Sequence, residues 1–109
     1  PDAPTGVGWN HWTVVDIPAA VQELAEGAGT DPTLLPEGAI QTRTDFGVPG
    51  YGGPCPPPGQ LHTYVLTVFA MPSKKLHDMI TADATPALVG MFANRQALEP
   101  AKLEIPLTR

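Results

Sequence analysis

One stretch limits what this chain can fold into more than any other: Tyr51-Gly-Gly-Pro-Cys-Pro-Pro-Pro-Gly-Gln-Leu-His-Thr-Tyr64. Pro54, Pro56, Pro57 and Pro58 fix φ and bring no N–H donor, while Gly52, Gly53 and Gly59 allow backbone approaches that a Cβ would forbid. Neither a helix nor an interior strand can be built from such residues, so the stretch is predicted to be a stiff, open loop. It runs directly into Leu61-His-Thr-Tyr-Val-Leu-Thr-Val-Phe-Ala-Met71, where side chains alternate between two faces. Leu61, Thr63, Val65, Thr67, Phe69 and Met71 take one face, and His62, Tyr64, Leu66, Val68 and Ala70 the other. The spacing predicts a strand over 61–71 that turns His62 and Tyr64 the same way, beside the loop.

The remaining elements are read around this one. Residues 9–17 alternate Trp9, His11, Thr13, Val15 and Ile17 against Asn10, Trp12, Val14 and Asp16, with apolar groups on both sides. They predict a strand covered on both faces and ended by Pro18. Residues 27–38 read as surface loop, and residues 39–47 as a second strand with polar side chains. After Met71-Pro72 the period changes. Thr85 is a suitable N-cap, Pro86 occupies the first helical position, and Leu88, Met91, Phe92 and Leu98 recur at roughly helical spacing. Residues 102–107 predict a final strand, whose Pro106 places it at a sheet edge.

A length of 109 residues sets one small domain as the expectation for the whole chain. The 14 prolines and 11 glycines gather at turns between patterned segments, which argues for an ordered β-rich chain over a disordered one. With six basic residues and a net charge of −5, the chain has no basic stripe, so nucleic acid is excluded as a partner on electrostatic grounds. No apolar run reaches the roughly 18 residues of a spanning helix. The single cysteine, Cys55, leaves the compartment open between cytoplasmic and periplasmic or secreted.

Machinery motifs are missing from the sequence: it has no phosphate-binding glycine loop, no dinucleotide fingerprint, no nucleophile elbow and no paired-cysteine metal motif. Neither a cofactor nor a metal is expected. What remains is a constellation of Asp2, His11, His62 and Tyr64 with rigid loops attached. Two imidazoles, a phenol and loop N–H groups can each donate to an oxyanion, and the imidazoles can add positive charge near neutral pH. A hydrolase would need an activated nucleophile. Ser73 is the only serine, and Cys55 sits among prolines that supply few donors for an oxyanion hole, so no enzyme activity is expected.

Four motifs, in order, carry a resemblance: Pro1-Asp-Ala-Pro-Thr-Gly6, Trp9…His11-Trp12, Asp45-Phe-Gly with Gly50-Tyr-Gly-Gly-Pro-Cys-Pro-Pro57, and Leu61-His-Thr-Tyr64. They resemble the phosphatidylethanolamine-binding protein family, whose members include Raf kinase inhibitor-like proteins, and in particular its bacterial YbhB/YbcL-type branch. The resemblance implies a mainly β fold, a β-sandwich with one C-terminal helix, apparently lacking its N-terminal strands, as a single domain over residues 1–109. It implies non-catalytic binding of a small anion (phosphate, a phosphorylated lipid headgroup or a carboxylate) in a surface pocket formed by Asp2, His11, Gly53, Cys55, Pro56, Pro57, His62 and Tyr64. An alternative is regulation through a protein partner such as a kinase. Asn10 stands where animal relatives often carry a second histidine, and Asn94-Arg95 where bacterial relatives often show one.

The same resemblance sets two further expectations. The Ala3–Pro4 bond is expected to be cis, aiming Asp2 into the pocket. About a third of the domain, including an Asp immediately ahead of Pro1, is expected to precede this chain. The N-terminally truncated chain is therefore expected to self-associate, or to need a companion N-terminal segment, to cover the apolar strand at residues 9–17.

Overall fold

The computed structural model describes residues 1–108. Its regular elements are β1 (Val14–Val15), β2 (Ile40–Gln41), β3 (Leu61–Val68), α1 (Pro86–Gln96) and β4 (Ala101–Thr108), with one 3-10 turn at Pro32–Leu34. β1 and β2 pair antiparallel, as do β3 and β4, giving two separate two-stranded sheets. Strand outweighs helix, and the one helix lies late in the chain, as the sequence predicts.

The helix forms where its signals stand. Thr85 caps it, its hydroxyl accepting from the Leu88 N–H, and Pro86 opens the first turn. Its phase differs from the prediction. Val89 and Ala93, one turn apart, are the buried pair, Leu88 and Phe92 flank them, and Met91 faces outward at 48% exposure. Met91 lies two residues from Val89, about 200° around a helix, so it cannot share the buried face. Leu98 lies beyond the helix end, exposed, with its N–H donated to the Ala70 carbonyl.

Val89 and Ala93 close the core with Val15 of β1 and with Leu76, Ile80 and Ala84 from the segment before the helix. Asp16 ties that segment down. It adopts the left-handed region at φ 60°, and its carboxylate accepts from the Leu76 N–H at 2.8 Å. The Gln96 side chain then donates to the Leu76 carbonyl from the helix side.

Three predicted strands are shorter than the sequence implies. Over residues 9–17 only Val14–Val15 is strand. The preceding residues are pinned one at a time by separate partners instead of by one continuous ladder: Asn10 by Asp45, His11 by Gly52 and Thr13 by Thr42. Beyond β1, Asp16 breaks the extended path. Over residues 39–47 only Ile40–Gln41 is strand, because the chain turns back at Thr44, whose N–H and hydroxyl both donate to the Val48 carbonyl. β3 likewise stops at Val68, three residues short of Met71.

Buried Thr42, fully shielded from solvent, donates its N–H to the Thr13 carbonyl, but its hydroxyl has no hydrogen-bond partner among the described residues. A buried hydroxyl without a partner costs free energy that a methyl does not. Thr42→Val is therefore expected to leave stability unchanged or raise it by about 1 kcal/mol. A urea-unfolding midpoint well below that of the parent would contradict this.

In the β3–β4 ribbon, Thr63 stands opposite Pro106, Tyr64 opposite Ile105 and Leu66 opposite Leu103. The Thr63 N–H donates to the Asp2 carboxylate, so this N–H points away from β4, and Pro106 needs no donor toward β3. Leu66, Val68, Leu103, Ile105 and Leu107 lie on the face that carries His62 and Tyr64, and all five remain exposed.

Candidate functional site

His11 is the most constrained of the predicted site residues. Its Nδ1 lies 2.8 Å from the Gly52 carbonyl oxygen, which can only accept, so Nδ1 carries the proton. The backbone closes the same pair in the other direction, the Gly52 N–H donating to the His11 carbonyl at 2.9 Å. The imidazole is flanked edge-on by two aromatic rings: Tyr64 at 5.3 Å between centroids and Phe46 at 5.4 Å. Nε2 is left as the ring nitrogen with no protein hydrogen bond among the described residues.

Asp2 reaches the same neighbourhood from the start of the chain. Its carboxylate accepts from the Thr63 N–H at 2.6 Å, next to both His62 and Tyr64. This happens without the expected isomer, because the structure contains no cis peptide bond among the described residues and Ala3–Pro4 is trans. Trans is the lower-energy form for X–Pro. Since the trans chain already delivers the carboxylate to β3, no isomer change is needed to aim it. His62 pairs with Gln60, its Nε2 lying 3.1 Å from the Gln60 side-chain oxygen.

The loop contributes unevenly. Pro56 is fully buried, whereas Gly53, Cys55 and Pro57 are exposed. The Cys55 side chain therefore sits at the surface and is not packed away among the prolines. A Cβ built on Gly53 would meet nothing within 4 Å, so the space beside it is open. The structure thus brings His11 and Tyr64 into ring contact and ties Asp2 to the β3 backbone at Thr63, the residue before Tyr64, with Gly52 leading into the loop. Phe46 and Gly52 complete the surroundings of His11. Alternation does not single them out, because both act through contacts between distant segments.

His77 and Trp9 hold structural positions. His77 stacks on Phe92 at 4.2 Å, its Nδ1 accepting from the Met79 N–H, and Trp9 meets Phe46 edge-on. Two cavities have linings of other residues. One of about 490 Å³ is lined by residues that include Gly29, Leu35, Gln41 and Pro49; the other, about 180 Å³, lies behind Phe46 and Gly52. Neither is lined by Asp2, His11, His62 or Tyr64.

A family model described as phosphatidylethanolamine-binding protein matches residues 1–107. The chain belongs to the phosphatidylethanolamine-binding protein family. Within that family it is similar to two Escherichia coli K12 proteins. With UPF0098 protein YbhB it shares 42% identity over 94% of this chain and 64% of that protein. With UPF0098 protein YbcL it shares 47% identity over 94% of this chain and 56% of that protein. The crystal structure of E. coli YbcL, described as a new member of the mammalian family, superposes with a TM-score of 0.93 at 44% identity. That superposition covers 100% of this chain and 66% of the YbcL chain. The chain thus spans less than two thirds of the length of YbhB and YbcL. No helix among the described residues is long and apolar enough to cross a membrane.

Proposed function

We propose that this chain binds small phosphate-like or carboxylate anions, of the kind found in phospholipid headgroups, without catalysing a reaction. The binding surface is formed by Asp2, His11, His62, Tyr64 and the loop through Gly53, Cys55 and Pro57, with buried Pro56 anchoring that loop. The observation that carries the reading is the state of His11: its ring is fixed by the Gly52 carbonyl through Nδ1, which leaves Nε2 for a ligand. A neutral imidazole in that tautomer offers only a lone pair at Nε2. An anion is therefore bound by the imidazolium, which donates a charge-assisted hydrogen bond.

None of the proposed site residues is Lys or Arg, so histidines are the only groups there that become cationic. Two carboxylates stand close by. Asp2 is engaged by the Thr63 N–H, and Asp45 by the Asn10 N–H from the segment that carries His11.

Anion affinity is accordingly expected to fall as pH rises between about 5 and 8, the window in which histidines commonly titrate. Loss of a charge-assisted bond corresponds to a decrease of about tenfold or more. Titration calorimetry with inorganic phosphate checks this, run beside sulfate because phosphate itself changes charge in the same range. A flat sulfate profile would leave only neutral donors and remove the imidazolium from the mechanism. Binding seen with the purified chain alone would separate this reading from one in which a protein partner is required.

A further inference from the structure

We propose that Gly52 and Phe46 act together as positioning residues that set the tautomer and orientation of the His11 ring. The inference rests on reading His11 as an anion ligand, and deepens it. Gly52 is bonded to His11 twice, through its own N–H and through its carbonyl, so one residue holds both the backbone and the ring. Phe46 occupies the space a side chain on Gly52 would need. A Cβ built there would strike the Phe46 ring at Cε2, Cδ2 and Cζ, closer than van der Waals contact allows. Gly52 is not among the glycines with positive φ. It is glycine for space and not for backbone angle.

The Phe46 ring is itself held in place from two sides. It meets His11 edge-on at 5.4 Å and Trp9 edge-on at 5.4 Å. Its neighbour Asp45 is joined to Asn10 in both directions: the Asp45 N–H donates to the Asn10 carbonyl, and the Asn10 N–H donates to the Asp45 carboxylate at 2.6 Å. The turn carrying Phe46 is therefore fastened to the residue before His11. Yet Phe46 is half exposed, so burying a large apolar ring does not explain its place. What its position does achieve is an edge contact with the imidazole, beside the one that Tyr64 makes.

Adding a methyl at Gly52 must push the Phe46 ring off its edge contact with His11 or shift the 51–53 backbone; the first removes a ring that holds the imidazole, and the second takes the carbonyl away from Nδ1. The imidazole is then free to carry its proton on Nε2 and to turn. Nitrogen-resolved NMR of the histidine rings in the ligand-free full chain reads the tautomer directly, and calorimetry with phosphate and sulfate reads the consequence. The parent is expected to show the Nδ1–H form at His11. Gly52→Ala is expected to lose that signature and about tenfold in affinity, the scale of one misplaced charge-assisted bond. Phe46→Ala should cost a few-fold, on the order of one aromatic edge contact. The double variant removes the atoms that the new methyl strikes, so it should regain the Nδ1–H signature and bind no worse than Phe46→Ala alone.

A Gly52→Ala chain that keeps both the signature and the parental affinity would overturn the proposal. So would a double variant as impaired as Gly52→Ala, because the loss would then owe nothing to the ring. If Gly52→Ala does not fold, Phe46→Leu, which keeps bulk and loses the aromatic edge, is read by the same two measurements. Unchanged tautomer and affinity there would overturn the proposal equally. If the parent binds neither anion, the proposed function fails, while the tautomer series still decides whether Gly52 and Phe46 position the ring.

Discussion

Val89→Asp is expected to abolish the cooperative unfolding transition at room temperature. Val89 is 6% exposed and packs with Val15, Leu76 and Ile80, so a carboxylate there would replace the link between α1 and β1 with a buried, unpaired charge. A substitution of that kind costs about 4 kcal/mol or more, against a total of roughly 5–15 kcal/mol for a typical domain. The core cluster is small and includes two alanines, so little else can absorb the loss. Met91→Asp on the opposite side of the same helix is the control, with an expected change within about 0.5 kcal/mol. Tryptophan fluorescence against urea distinguishes them. Equal midpoints for the two variants would mean that the buried face of the helix has been misassigned.

His11→Ala is expected to lower anion affinity by roughly ten- to a hundredfold while leaving the fold in place. The ring is half-buried and held mainly by Gly52, Phe46 and Tyr64, so its removal takes away a ligand without opening the core at Val15 and Val89. A hydrogen bond to a charged group is worth about 1.5–3 kcal/mol, which sets the size of the loss. His62→Ala should weaken binding less, since His62 is engaged with Gln60 and no aromatic pair brackets it. Phosphate calorimetry together with the far-ultraviolet dichroism spectrum checks both. Parental affinity in His11→Ala, with an unchanged spectrum, would remove His11 from the site.

Sequence and structure agree wherever the determining contacts are local. Thr85 and Pro86 announce the helix because a cap and a first-turn proline act within a few residues, and the helix begins there. The alternation from Leu61 marks β3 for the same reason. The strand predicted over residues 9–17 shrinks to Val14–Val15 because what its residues pair with is set by distant partners, Asp45, Gly52 and Thr42. The helix phase departs from the apolar spacing for a related reason. Met91 is as apolar as its neighbours, and only the position of Leu76 and Ile80 decides that Val89 faces inward. Around His11, the type of each predicted residue was legible, but Phe46 and Gly52 were not, since a ring lying over a glycine leaves no periodic trace.

The register of the ribbon also governs what copies of this protein can do to one another. At the level of Thr63 and Pro106 the backbone offers no donor outward on either side: Asp2 already occupies the Thr63 N–H, and proline has none. A further strand approaching either margin there finds no amide hydrogen to bind, and on the β4 side it meets Glu104 and Lys102 as flanking residues. At that level the ribbon cannot pass its hydrogen-bond ladder to another copy, so pairing between copies must start from the outward N–H groups of Val65 and Thr67 on β3 or of Lys102 and Glu104 on β4.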